Sequence, residues 1–205
     1  MPTYRLSKRL FDEVIAGTLL LVVSPIALTV VTAMAVDMVV APADRGPFLY
    51  REPRLSRGRP FELLKFRTLR RDALARAGGH ARLLEGDPAN LTWAGRRILK
   101  PWYLDELPQL LNVLRGDISL VGPRPWPPQL VERQVAAGRD YRLAIVAGLT
   151  GPAQVSKGGD QLYADLDERY VEAYSSLGAW ALVRHDLGIL RQTIRVLARG
   201  EGLNY

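Results

Sequence analysis

Asp105 and Glu106 stand side by side in Leu104-Asp105-Glu106-Leu107-Pro108-Gln109, a charged pair between leucines just ahead of a proline. A carboxylate in such a pair can attack a phosphoryl group and carry it as an acyl phosphate. Two adjacent carboxylates can also recruit Mg²⁺, which usually takes one or two of them together with phosphate oxygens. The same residues spell an ordinary helix start, with Asp105 as N-cap, Glu106 in the first turn and Pro108 where a missing N–H costs nothing. The two readings meet at one point, because a helix N-terminus favours an ionised carboxylate and attracts phosphate. Cations suited to a phosphate stand elsewhere in the chain. Arg124, between Pro123 and Pro125, has the planar fork that clamps an oxyanion, and Lys65 and Arg67 lie in Lys65-Phe66-Arg67-Thr68. Taken singly, each basic residue reads as a solvated surface charge.

The elements that must position these residues follow from pattern. Phe48–Glu52 and Pro60–Phe66 read as strands of a hairpin around Ser56-Arg57-Gly58-Arg59. Leu69–Ala77 reads as a short helix, and Asp105–Leu114 as a helix that Gly116 closes. Ile118–Val121 is extended and ends at Gly122-Pro123, while Gln129–Ala137 and Asp165–Ser175 are helical. In Gly178–Ala198 the residues Trp180, Val183, Leu187, Leu190, Ile194 and Leu197 mark one helix face, with arginines off the seam. Periodicity alone predicts that this face packs on the core or a partner; the alternative is an interfacial helix with its arginines on headgroups. The fold class is therefore mixed α/β, dominated by helices.

Val14–Val36 carries no charge and, as a helix, is roughly 35 Å long, enough for a hydrocarbon core of about 30 Å. Asp12 and Glu13 directly before it, and its length, argue against a cleaved signal peptide. A straight span predicts basic excess on one side, yet both flanks are basic: Arg5, Lys8 and Arg9 before, Arg45, Arg51 and Arg54 after. Ser24-Pro25 in the middle suits a re-entrant helix better, with a Pro-kinked span as the alternative that the sequence leaves open. The proline frees a carbonyl, and the serine hydroxyl can bond it where water cannot. The expected division is a membrane element, 1–41, and a catalytic domain, 42–205.

The 205 residues include no cysteine, which excludes disulfides and thiolate metal sites. A net charge of +7 points to phosphate-bearing partners. Nucleic acid is not expected, since the basic residues flank an apolar run rather than interleave with aromatics. His80 and His185 have no metal-ligand neighbours at useful spacing and read as structural or solvated. No Gly-rich loop of the nucleoside-triphosphatase kind occurs.

Taken together in order, the motifs Lys8-Arg9-Leu10-Phe11-Asp12, Gly58-Arg59-Pro60-Phe61, Lys65-Phe66-Arg67-Thr68, Leu104–Leu110, Gly116–Pro125, Gly148-Leu149-Thr150-Gly151 and Ala153-Gln154-Val155 resemble the small monotopic polyprenyl-phosphate phosphoglycosyl transferases, the bacterial sugar transferases. The resemblance covers about Ser7 to Leu197. It implies a re-entrant helix kinked at Ser24-Pro25 at the cytoplasmic face of the bacterial inner membrane. It further implies transfer of a phosphosugar from a nucleotide sugar, normally a UDP-sugar, to polyprenyl phosphate, with Asp105 as nucleophile and UMP as leaving group. Asp105 and Glu106 would hold Mg²⁺; Lys65, Arg67, Lys100, Arg124, Gln154 and Lys157 are the substrate-binding expectations. Membrane lipids, and a homodimer through the apolar segment or last helix, complete the expected partners. The sequence departs from the pattern at Lys100, where arginine is usual, at Pro101-Trp102-Tyr103, at Ala147 in place of proline, and at Lys157-Gly158-Gly159-Asp160 in place of a Gly-Arg-Asn stretch. A different class of function, a non-catalytic membrane-surface protein of the same fold, is the alternative; the intact Asp105, Glu106, Arg124 and Lys65 favour the enzyme.

Overall fold

A computed structural model of the chain describes residues 5–76, 84–156 and 160–199. His80 and Lys157 lie outside them. Helices dominate, joined by two small two-stranded sheets. The first helix, α1 (Leu6–Val40), runs unbroken through Pro25. Proline removes the donor that the Leu21 carbonyl would have received. The Ser24 hydroxyl donates to that carbonyl at 2.8 Å, the repair expected from the sequence. Thr29 and Thr32 likewise return their hydroxyls to the carbonyls of Pro25 and Leu28. Among the described residues, α1 alone is long and apolar enough to cross a membrane, and Leu21, Val22, Ile26 and Leu28 at its middle are exposed.

The hairpin forms as predicted, from β1 (Leu49–Ser56) and β2 (Arg59–Phe66). Its turn residues Arg57 and Gly58 both have positive φ, 51° and 67°, the two-residue turn that matches strand twist. The chain divides into two compact units, with boundaries inside α1, the hairpin and the helix Gln109–Arg115.

One unit comprises Gly17–Pro53 and Glu62–Leu111. Its core gathers Val30 and Met34 of α1, Phe66 of β2, Ala94 and Leu99, with Leu104 and Leu107 packed against them. The short helix α2 (Arg71–Arg76) follows β2. A second cluster, Leu69 and Ala73, carries Leu84 and Leu91.

The other unit comprises Met1–Ala16, Arg54–Phe61 and Asn112–Tyr205. After the helix α3 (Gln109–Arg115) come β3 (Ser119–Val121), α4 (Pro128–Ala136), α5 (Tyr141–Ala144), β4 (Gly148–Thr150), α6 (Pro152–Val155), α7 (Asp160–Ser176) and α8 (Ala179–Ala198). The strands β3 and β4 pair in parallel, Ser119 with Gly148 and Val121 with Thr150. The strand β4 is too short to show a period in sequence, but its glycines have a cause. A Cβ on Gly148 would lie 2.1 Å from the Gly122 nitrogen, and one on Gly151 would lie 2.2 Å from the Gly122 oxygen. Ala147, where the resemblance expected proline, donates its N–H to the Ser56 hydroxyl at 3.1 Å, a bond proline cannot make.

Two sequence expectations need correction. The predicted apolar face of α8 is not the face it packs on the core of its own chain. Leu182, Asp186 and Ile189 are buried, whereas Trp180 is 83% and Ile194 68% exposed. Beneath the buried face, Lys8 of α1 meets Asp186 at 2.6 Å and Asp12 at 3.5 Å. Asp12 accepts from the Ser119 hydroxyl at 2.6 Å, and Tyr170 donates to Asp186 at 2.9 Å. His185 lies against Tyr170, their ring centroids 5.7 Å apart. The second correction concerns the helix expected from Asp105. It begins only at Gln109. Pro108 has no N–H to give the Leu104 carbonyl, which Leu107 takes at 3.3 Å in a tighter 3₁₀ turn spanning Leu104–Glu106.

Candidate active site

The carboxylate pair therefore rides on a single 3₁₀ turn rather than at the mouth of an α-helix. Leu104 and Leu107 bracket the pair, and both are packed on the core of their unit. Tyr103, just before, sits in the left-handed region at φ 55°, a conformation costing a non-glycine residue about 1–2 kcal/mol. The turn is thus held in place by apolar anchors on each side, and Asp105 is buried by the packing.

With no helix dipole to favour the ionised carboxylate, a lysine does so. Lys100 Nζ lies 2.9 Å from Asp105 Oδ2 and 2.7 Å from Glu85 Oε2. Lys100 follows a π-helical turn, Gly95–Leu99, and closes it by donating its backbone N–H to the Gly95 carbonyl at 3.0 Å. Such wide turns recur at functional sites because they re-aim the residues at their ends. Beyond Lys100, Glu85 is fixed by the Thr68 hydroxyl at 2.9 Å. Lys65 stands 3.8 Å from Glu106 and 3.7 Å from buried Glu52.

Burial pushes the Asp105 carboxyl above the ordinary aspartate value; Lys100 opposes the rise, and neighbouring Glu106 adds to it. For Glu85, burial alone would act the same way, but Lys100, Lys65 and Thr68 together bring its carboxyl below the usual value. Burial weakens Lys100 as an acid-base centre less than Asp105 and Glu85 strengthen its charged form, so its ammonium is held above the usual lysine value. The result is a buried carboxyl raised by burial and by Glu106, with Lys100 and, less strongly, Lys65 acting for its ionised form.

Each residue of Lys65-Phe66-Arg67-Thr68 has a separate task. Lys65 reaches the carboxylates, Phe66 enters the core and Thr68 orients Glu85. Arg67, expected to bind substrate, is buried and gives its guanidinium to three main-chain carbonyls: Pro47 at 3.0 Å, Leu69 at 2.8 Å and Asp44 at 2.7 Å. Its donors are occupied in clamping the loop before β1. The strand alternation that puts Lys65 and Arg67 on one face ends at Phe66, so the sequence pattern could not foresee this.

Of the other expected residues, Arg124 and Gln154 belong to the other unit. Arg124 follows the end of β3, half-buried, and its carbonyl accepts from Arg142. Gln154 is buried in α6 and donates to the Leu149 carbonyl at 3.2 Å. Sequence reasoning missed Glu85 and Glu52, which come from separate segments and carry no motif.

Asp105 and Glu106 are oxygen donors of the kind that Mg²⁺ takes. The carboxylates of Glu52 and Glu106 lie 3.7 and 3.8 Å from the Lys65 ammonium, and those of Glu85 and Asp105 lie 2.7 and 2.9 Å from that of Lys100. Among the described residues no three such side chains converge as a closed metal site. A cation here would take Asp105 and Glu106 plus oxygens of a bound phosphate, the arrangement usual for Mg²⁺.

Lys100→Met removes the only cation bonded to Asp105 in this cluster. The acid limb of the pH–rate profile is expected to move up by about one pH unit or more, since an opposite charge at such range lowers a carboxyl by that amount. Lys100→Arg should restore most of the shift; an acid limb unmoved in Lys100→Met would remove this role from Lys100.

Residues 3–200 match the family described as bacterial sugar transferase. The chain is 37% identical over 196 residues to a UDP-glucose:undecaprenyl-phosphate glucose-1-phosphate transferase of Caulobacter vibrioides, covering 92% of this chain and 68% of that protein. It is 36% identical to an undecaprenyl-phosphate galactose phosphotransferase of Salmonella typhimurium, covering 97% of this chain but 42% of that longer protein. With the exopolysaccharide production protein ExoY of Sinorhizobium fredii it shares 34% identity, across 98% of this chain and 89% of the relative. On this match, over nearly its whole length, the chain belongs to the bacterial sugar transferase family.

Proposed function

We propose that this protein is a phosphoglycosyl transferase that moves a phosphosugar from a UDP-sugar to polyprenyl phosphate. The observation that carries the reading is Asp105, buried, bonded to Lys100 and adjacent to Glu106. Relatives named for UDP-glucose and undecaprenyl phosphate support the substrate classes. An oxygen of the Asp105 carboxylate attacks the β-phosphorus. The bond from that phosphorus to the bridging oxygen breaks, and UMP leaves with both electrons. An oxygen of the lipid phosphate then attacks the same phosphorus and the carboxylate departs, giving a polyprenyl-diphosphate sugar. Lys100 favours the ionised form of Asp105, and Lys65 pairs with Glu106. Glu106 serves the second step as a base or holds the cation. Mg²⁺, when bound by Asp105 and Glu106, supplies positive charge to the diphosphate. Arg124, Gln154 and Lys157 remain the residues proposed to bind substrate.

The place of the reaction is the cytoplasmic face of the bacterial inner membrane, with residues 1–41 as a re-entrant helix, 42–205 as the catalytic domain, and the exposed apolar face of α8 in the interface. The Ser24 bond supports this, since it satisfies the carbonyl that Pro25 frees where no water is at hand. The chain lacks cysteine, so topology is read directly from Ser7→Cys and Ser175→Cys. In intact cells both should resist a membrane-impermeant maleimide and react after lysis. With Pro25→Ala added, Ser7→Cys is expected to become reachable from outside in part of the population. Labelling of Ser7→Cys in intact cells without that change would show a crossing helix.

The function itself is tested by UMP release from a panel of UDP-sugars with Mg²⁺ and undecaprenyl phosphate, using protein in nanodiscs. UMP formed with one sugar and dependent on Asp105 is the expected result. No UMP with any nucleotide sugar would favour a non-catalytic membrane-surface protein.

A further inference from the structure

The unit that does not contain Asp105 holds a cavity of about 400 Å³. Its walls include Arg9 from the start of α1, Arg57 and Arg59 from the hairpin, and Arg115 from the end of α3. Phe61 supplies an apolar wall and Asp117 the single carboxylate, which is engaged by the Asn112 amide at 2.9 Å. Four of the lining residues are thus arginines, against one acidic residue.

Like charges do not gather without cause. Arg9 is neutralised by Glu13 at 2.7 Å. Among the described residues, no carboxylate lies within ion-pair distance of Arg57, Arg59 or Arg115. The backbone adds a second observation. Arg57 occupies a left-handed turn position, φ 51°, where glycine or asparagine would sit without strain. Holding arginine there costs about 1–2 kcal/mol. Its backbone N–H is pinned to the Ile145 carbonyl at 3.1 Å, which fixes the turn beside the cavity. Gly116 takes the left-handed conformation, φ 77°, beside the Arg9 guanidinium, which a Cβ there would meet in ordinary contact at 3.9 Å.

We propose that this cavity is a binding site for a phosphate-bearing anion. Guanidinium groups bind phosphate oxygens two at a time, and a cavity of this size accepts a diphosphate or a phospholipid headgroup. Both sources present the same chemistry. Arg9 stands five residues before Val14, roughly 7.5 Å along the helix from the uncharged run, within reach of either. The proposal does not rest on the chemistry of Asp105.

The test uses the full chain in phosphatidylcholine nanodiscs titrated calorimetrically with inorganic pyrophosphate. Binding is expected in the wild type and in Asp105→Asn. In Arg59→Ala combined with Arg115→Ala it should weaken by about tenfold to a hundredfold, the loss of one or two charge-assisted contacts. Arg59 and Arg115 are exposed, so the melting midpoint should hold, and Arg59→Lys alone should retain part of the affinity. A second arm replaces part of the phosphatidylcholine with phosphatidylglycerol. Weaker pyrophosphate binding in the anionic discs, lost in the double variant, identifies a headgroup as occupant; unchanged binding identifies a soluble phosphate. Absence of pyrophosphate binding in the wild type, or equal affinity in a folded double variant, overturns the proposal.

Discussion

Asp105→Asn is expected to lower phosphosugar transfer by about a thousandfold or more, the scale on which removal of a nucleophile acts. An amide keeps the shape of the carboxylate and cannot form the acyl phosphate. The same change should not weaken the fold. In the folded chain burial holds the Asp105 carboxyl above its ordinary value. Folding therefore favours its protonated form, and this group's contribution falls as pH rises from the ordinary aspartate value to the raised one. At neutral pH the ionised carboxylate is a net cost that the amide avoids. A melting midpoint equal to or above that of the wild type, with activity gone, is the expected pair of results. Radiolabel from a β-³²P donor, retained on wild-type protein in the absence of lipid acceptor and missing from the variant, would locate the intermediate. Retained label in the variant would move the nucleophile elsewhere.

Lys8→Met should produce the largest loss of stability. Lys8, Asp12 and Asp186 are 2%, 0% and 0% exposed, and the Lys8 ammonium lies within ion-pair distance of both carboxylates. Removing one partner of a buried ion pair costs about 3–5 kcal/mol, because the remaining charge is left uncompensated. For a chain of this size the melting midpoint falls by roughly 10 °C. The sign with pH can be checked. Burial raises the Asp186 carboxyl and Lys8 opposes that rise, so without Lys8 it climbs further. The defect should therefore be smallest in acid and grow as pH rises through the interval between the ordinary and the raised values. Adding Asp186→Asn should recover much of the loss, as Asp12 keeps the Ser119 hydroxyl. A pH-independent defect, or no recovery, would mean that lost packing of the lysine stem is responsible.

What the sequence made legible divides along physical lines. The hairpin and long helices were readable because their signals are local: Arg57-Gly58 between alternating strands, and a 3.6-residue period over many turns. The dyad was readable from its own residue types. Its support was not. Glu85 and Glu52 reach the lysines only through tertiary packing, and Arg67 differs from Lys65 in a way that depends on where a strand stops. The start of the helix after the dyad was misplaced because N-cap signals at Asp105 were weighed above the missing donor of Pro108.

The same distinction bears on α8, which carries two candidate inner faces. The seam of Val183, Leu187, Leu190, Ile194 and Leu197 is the greasier one, yet the chain buries Leu182, Asp186 and Ile189, one residue earlier along the helix. One residue is a rotation of about 100° about the axis. Apolar content alone would choose the other orientation, turning Asp186 outward. The lysine on α1 decides between the two, so a charge acts as the key that sets the angular setting of this helix and leaves its oily side free to face outward.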